Sequence, residues 1–160
     1  PCYPPGTEAD GWDIPRMLID YPFETTRVAV NLIFQGVMER YPDIRFILSH
    51  SGGTLPFLAH RVSVFDKQTP FRDNYPDGAL AYIKRFWFDT ALSGDAVPLA
   101  GLTAVADRSR ILFGTDYPYI SPNVVTDETN GFDAWSGLSA TDRDGVNRRN
   151  AEALFPRFAG

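Results

Sequence analysis

The chain is 160 residues long, and its 15 Lys and Arg against 20 Asp and Glu give a formal net charge of −5. Apolar side chains make up 44% of the residues, which is enough for a hydrophobic core and excludes a disordered tail. The acidic balance argues against nucleic acid or an anionic membrane as a partner. One cysteine, Cys2, excludes an internal disulfide and is typical of a cytoplasmic protein. No apolar run approaches the roughly 20 residues of a membrane span.

The first fifteen residues have the composition of a loop. The stretch PCYPPGTEADGWDIP contains four prolines and two glycines, which disfavour regular structure. A domain rarely opens on such a loop, and this chain begins with proline rather than methionine. We therefore expect the chain to start within a larger domain.

Helices and short apolar strands alternate through the rest of the chain. Hydrophobic periodicity and end signals predict helices over 23–40, 55–68, 80–84, 95–107 and 141–155. Short apolar runs predict strands over 44–49, 85–89 and 110–113. Thr141 is the predicted N-cap of the last helix, and loops are predicted over 71–78 and 120–136. This alternation is typical of a parallel α/β sheet.

Three polar residues stand at the carboxyl ends of the three predicted strands: His50, Asp89 and Asp116. In barrels and open sheets of parallel strands, this edge carries the chemistry. One imidazole and two carboxylates at one edge predict a cluster of metal ligands and acid–base groups. Gly52 and Gly53 follow His50 and allow another group to approach the backbone closely.

Each candidate also has a structural interpretation. His50 alone fits a core histidine that bonds the backbone, and Asp116 fits a turn residue or a helix cap. Asp89 follows three aromatic core residues, and the sequence favours neither role for it. His60 lies inside a predicted helix and fits a structural role, while the Arg61 stem fits coverage of the helix surface. For His50 and Asp116 we favour the functional interpretation.

Four stretches of the chain together resemble one family. They keep their order along nearly the whole chain and read ERYPDIRFILSHSGGTLPFLAHR, FWFDTAL, RILFGTDYPY and NRRNAEALF. The family is the decarboxylase-like branch of the amidohydrolase superfamily, which includes aminocarboxymuconate-semialdehyde decarboxylase and γ-resorcylate decarboxylase. The most specific part of the resemblance is a strand that ends in HSGG followed by a later strand that ends in GTDYP.

The resemblance implies a (β/α)₈ barrel with one divalent metal at its carboxyl mouth, zinc or, as the alternative, manganese. His50 matches the family's active-site histidine after the sixth strand, and Asp116 matches the metal-ligating aspartate after the eighth. Arg61 matches an arginine that in some members crosses a dimer interface to hold a substrate carboxylate. Residues 1–160 are then the C-terminal half of one α/β barrel domain, which we expect to be a homodimer or larger oligomer when intact.

The chain departs from the family in its histidines. It has only His50 and His60, whereas members carry a His-x-His pair and a further metal histidine. We therefore expect the other metal ligands to lie in an N-terminal half of the barrel outside this chain. Half a barrel leaves two strand edges unpaired, so we expect this polypeptide alone to be marginally stable, to aggregate or to depend on a partner.

The implied reaction is nonoxidative decarboxylation of a small aromatic or unsaturated carboxylic acid. Asp116 would hold the metal, His50 would transfer a proton and Arg61 would hold a carboxylate. Metal-dependent hydrolysis of a lactone or an amide uses the same residues and stays an alternative. A non-catalytic half barrel that acts only in assembly with another chain is a third interpretation.

Overall fold

Three short parallel strands form the sheet of this protein. The computed structural model describes residues 14–68 and 70–159, so Cys2 and all but the end of the predicted opening loop lie outside the described residues. The strands are β1 (Ile47–Leu48), β2 (Trp87–Asp89) and β3 (Ile111–Leu112), and they pair in chain order. Each lies within a strand predicted from the sequence. Their parallel register pairs Leu48 with Phe88 and Phe88 with Ile111.

Helices flank and connect these strands, as the alternation in the sequence predicts. Among the described residues they are α1 (Asp20–Phe34), α2 (Val37–Arg40), α3 (Leu55–Val64), α4 (Ala79–Ile83), α5 (Ala96–Val105), α6 (Pro122–Ala134), α7 (Ala140–Asp144) and α8 (Asn150–Leu154). α3 and α4 connect β1 to β2, and α5 connects β2 to β3. The predicted parallel α/β sheet is therefore confirmed. No helix in the two described ranges is long and apolar enough to cross a membrane.

The predicted single helix over 23–40 is wrong, because two helices occupy this segment. Gly36 separates α1 from α2 and has a φ of 64°, in the left-handed region that glycine adopts without strain. A Cβ at this position would lie 3.0 Å from the Asn74 carbonyl oxygen. The apolar periodicity continues through both helices, so the sequence pattern did not show the break.

The loop predicted over 120–136 is also wrong, because α6 fills most of it. Pro122 is in the first turn of α6, where its missing N–H leaves no helical hydrogen bond unmade. Gly131 lies against the chain after β2, since a Cβ there would be 2.0 Å from the Gly94 carbonyl oxygen. The residues that suggested a loop thus serve as a helix start and as a close packing contact.

The C-terminal helical segment is anchored to β3. Its N-cap is Ser139 rather than the predicted Thr141, because the Ser139 hydroxyl accepts the Asp142 N–H at 3.1 Å. A π-helical turn at Gly145–Arg149 joins α7 to α8. The Asn150 amide group then donates to the carbonyl oxygen of Ile111 at 2.8 Å.

The two faces of the sheet are covered to different extents. On one face Leu48, Phe88 and Ile111 are buried in the main core against α1, α3, α4 and α5. On the other face Trp87 and Leu112 form a small cluster that Leu154 of α8 covers. Ile47 pairs with Trp87 on this second face, yet its side chain is 43% exposed. The described part of the chain therefore completes one face of the sheet and covers the other only in part.

Candidate active site

The carboxyl edge of the sheet brings together the three polar residues that follow the strands. Because β1, β2 and β3 run parallel and in register, His50, Asp89 and Asp116 lie at the same edge. The Asp89 carboxylate accepts the backbone N–H of His50 at 2.8 Å. Charges on both His50 and Asp116 act on the pKa of Asp89, so the three groups share one electrostatic environment.

Asp89 joins the ends of β1 and β2 through a single oxygen. Its Oδ1 accepts the N–H of His50 at 2.8 Å and the N–H of Ala91 at 3.1 Å. Burial raises the pKa of Asp89 above its usual value, and the nearby Asp116 charge acts in the same direction. The two backbone N–H groups oppose this rise, because they stabilise the ionised carboxylate.

The His50 imidazole is oriented by the chain after β2. Its Nδ1 lies 3.2 Å from the Ala91 carbonyl oxygen. A carbonyl oxygen can only accept a hydrogen bond, so this contact requires the proton on Nδ1. Nε2 is then the nitrogen left to accept or deliver a proton.

Strained backbone is concentrated at this edge. In the two described ranges, all four non-glycine residues with positive φ follow a strand, and they are His50, Ser51, Leu92 and Asp116. Their φ angles run from 49° to 67°, a region that costs an L-residue about 1–2 kcal/mol. Such strain persists where surrounding contacts hold it, and it clusters at functional sites.

Thr90 and Gly114 position the β3 end of the site, and the sequence reasoning singled out neither of them. The buried Thr90 hydroxyl accepts the Gly114 N–H at 3.1 Å and donates to the Gly114 carbonyl oxygen at 3.2 Å. Gly114 packs closely against β2, since a Cβ there would lie 3.2 Å from the Asp89 Cβ. The position of Thr90 directly after Asp89 was the available signal.

The Asp116 carboxylate is free to take a ligand. It is half-buried and makes no hydrogen bond or ion pair with the residues the structure describes. As a hard anionic oxygen donor it suits a divalent cation. Within 14–68 and 70–159, however, no three His, Cys, Asp or Glu residues are grouped to hold a metal ion. Asp116 therefore fits one ligand position, and these residues do not complete the set.

The structure does not bring Arg61 into this cluster. Arg61 lies on α3 with an exposed side chain, and its guanidinium bonds to none of the described residues. Phe57, one turn earlier on the same helix, is 89% exposed. His60 is exposed as well. Trp87 of β2 is buried against Leu112 and Leu154.

The family model for Amidohydrolase matches residues 11–157, so the chain belongs to the amidohydrolase family. The resemblance seen in the four sequence stretches is confirmed. A curated relative, the 6-methylsalicylic acid decarboxylase of Penicillium expansum, is 35% identical over 161 residues. That match covers 100% of this chain and 49% of the relative. The chain thus spans about half the length of the curated relatives it matches.

Solved structures of related enzymes share the fold. The 2,6-dihydroxybenzoate decarboxylase from Rhizobium matches with a TM-score of 0.81 at 24% identity, over 100% of this chain and 50% of that one. A dihydroxybenzoic acid decarboxylase from Polaromonas sp. JS666, with bound manganese and the inhibitor 2-nitroresorcinol, matches with a TM-score of 0.70. It is 25% identical over 84% of this chain and 40% of its own. The predicted fold class, part of an α/β barrel, is confirmed.

Proposed function

We propose that the intact protein carrying this chain is a metal-dependent, nonoxidative decarboxylase of a small aromatic or unsaturated carboxylic acid. The observation that carries the proposal is the convergence of His50 and Asp116 at one sheet edge, in a chain similar throughout to an aromatic acid decarboxylase. Residues 1–160 act in it as the C-terminal half of one barrel. The remaining metal ligands come from outside the described residues.

His50 is the proton donor in this proposal. Nδ1–H stays bonded to the Ala91 carbonyl in both protonation states, so the proton that moves is the one on Nε2. The imidazolium protonates the substrate carbon that bears the carboxylate, and that carbon's bond to CO₂ then breaks. The bonding electrons return to the conjugated system, and His50 regains its proton from solvent.

Asp116 is the metal ligand that this chain supplies. A divalent cation held there would supply Lewis-acid stabilisation of negative charge on the substrate oxygens. We propose zinc as the resident ion and manganese, which the Polaromonas enzyme binds, as the alternative. Elemental analysis of the purified intact protein separates the two.

Arg61 holds a carboxylate of the substrate from across a subunit interface. Its exposure, together with that of Phe57 one turn away, supports this role, because a second subunit would cover both side chains. The proposal therefore includes a homodimer or larger oligomer. It also includes a cytoplasmic location, supported by the single cysteine.

The test is product analysis with the intact, metal-loaded protein. Hydroxybenzoates, including 6-methylsalicylic and 2,6-dihydroxybenzoic acid, are incubated with it while CO₂ and the decarboxylated phenol are quantified. Metal-dependent release of both in equal amounts supports the proposal. Opening of a lactone without CO₂ release would instead assign the site to hydrolysis.

A further inference from the structure

We propose that Asp89 is a positioning residue that fixes the backbone and ring of His50 and so decides which imidazole nitrogen transfers the proton. This inference deepens the proposed function, on which its activity measurements rest. Asp89 itself neither holds the metal nor exchanges a proton with the substrate.

The geometry is a closed triangle of three hydrogen bonds. Asp89 Oδ1 accepts the N–H of His50 at 2.8 Å and the N–H of Ala91 at 3.1 Å. The third side is the bond from His50 Nδ1 to the Ala91 carbonyl oxygen at 3.2 Å. One oxygen of Asp89 therefore links His50, whose ring transfers the proton, to Ala91, whose carbonyl orients that ring.

The backbone of His50 needs this support. His50 and Ser51 have φ angles of 54° and 55°, a strained conformation for residues that carry a Cβ. The Asp89 bond to the His50 N–H holds this turn against the end of β2. Without it, the ring and its contact with Ala91 would no longer be fixed relative to each other.

The two donors already bound to Asp89 both occupy Oδ1, so only Oδ2 is left for a metal ion or a proton. A carboxylate oxygen has two lone pairs, and two N–H groups occupy those of Oδ1. As a metal ligand or a proton carrier, Asp89 would depend on the negative charge of its carboxylate. As a positioning residue, it depends only on an acceptor oxygen at the position of Oδ1. An asparagine retains such an oxygen and loses the charge, so it distinguishes these roles.

The experiment compares Asp89→Asn and Asp89→Ala in the intact, metal-loaded protein. We expect Asp89→Asn to retain bound metal and a kcat within about 10-fold of wild type, because neutral acceptors bond less strongly than charged ones. We expect Asp89→Ala to lose about 100-fold in kcat, the scale reached when a catalytic group is misplaced by 1 Å. KM and metal content should stay unchanged in both variants.

The matched control is Asp107→Ala. Asp107 also accepts the N–H two residues ahead, from Ser109 at 2.9 Å, but it precedes β3 at the opposite edge of the sheet. Loss of this turn should leave kcat unchanged.

If Asp89→Asn is as inactive as Asp89→Ala and has lost its metal, Asp89 is a ligand and the positioning role is wrong. Full kcat in Asp89→Ala would overturn it as well.

A spectroscopic measurement decides the inference independently of turnover. Nitrogen-15 shifts of His50, assigned by their loss in His50→Asn, should show a proton on Nδ1 of the neutral ring in wild type and Asp89→Asn. Asp89→Ala should show a mixture of the two tautomers, and an unchanged Nδ1–H would refute the inference.

Should Asp89→Ala fail to fold, Asp89→Asn still decides through its metal content and tautomer. A wild-type protein without decarboxylase activity would contradict the proposed function alone.

Discussion

Asp89 and Asp107 form the same local turn at opposite edges of the sheet. Each accepts the backbone N–H of the residue two positions ahead, Ala91 for one and Ser109 for the other. Burial raises the pKa of Asp89, whereas hydrogen bonds from Ser109 lower the pKa of the exposed Asp107. The hydrogen bonds of this turn favour the ionised carboxylate at both edges, but only at the carboxyl edge does burial of the carboxylate oppose them and cost folding free energy.

The backbone shows the same contrast. The carboxyl edge contains left-handed non-glycine residues, among them His50 and Asp116, while the segment before β3 has ordinary backbone angles and satisfied hydrogen bonds. Strained backbone and buried charges occur in folded proteins mainly at functional sites, where the chemistry requires them. This difference supports the proposal that the carboxyl edge carries the active site, while the amino edge contributes to stability.

Removal of the Asp116 carboxylate should have the largest effect. Asp116→Asn tolerates the left-handed backbone at φ 67°, so it removes charge without adding strain. We expect this variant and Asp116→Ala of the intact protein to lose bound metal and measurable turnover. The measurements are elemental analysis and CO₂ release, with Asp107→Asn as control. A variant that kept both metal and turnover would remove Asp116 from the site.

Replacement of His50 should affect turnover but not metal. We expect His50→Asn to retain metal and to lose about 100- to 10,000-fold in kcat, the usual contribution of a general acid. Asparagine suits the positive φ, so a loss of activity reports on the imidazole. The exposed His60, changed in the same way on α3, provides the control. Normal turnover of His50→Asn would show that another group supplies the proton.

The turn after β1 should tolerate no side chain at Gly53. A Cβ there would lie 2.1 Å from the Pro22 carbonyl oxygen, and φ is 65°. We expect Gly53→Ala to lower the free energy of unfolding by at least about 2 kcal/mol, from strain and overpacking together.

The matched substitution is Gly101→Ala on α5. A Cβ at Gly101 would have the Pro56 Cβ as its nearest neighbour, at an ordinary contact distance of 3.7 Å. This change should be neutral or stabilise by up to about 1 kcal/mol through helix propensity. Urea unfolding of both variants measures the difference. Equal stability of the two would show that the turn after β1 is not constrained.

The smallest effect is expected at the amino edge. Asp107→Ala removes a cap and should cost about 0.5–1 kcal/mol at neutral pH. Because the folded pKa of Asp107 lies below its unfolded value, its contribution is present above the unfolded pKa and is lost as pH falls through the folded pKa. The difference in unfolding free energy from wild type should therefore shrink in acid. A difference that grew in acid would contradict this sign.

The sequence predicted the positions of the strands and the residues that follow them. A short apolar run predicts a strand from neighbouring residues alone, so residue order was enough to assign His50, Asp89 and Asp116 to one edge. Periodicity could not reveal α6 or the break at Gly36, because Gly131 and Gly36 act through contacts with distant backbone.

Only the tertiary structure decided how the edge is organised. The bond from the His50 N–H to the Asp89 carboxylate joins residues 39 positions apart, and the ring of His50 lies against a carbonyl 41 positions away. Residue type and spacing indicate which groups reach the edge of a parallel sheet, because strand direction places them there. Which nitrogen of His50 is free depends on packing between segments, and packing is a property of the folded chain.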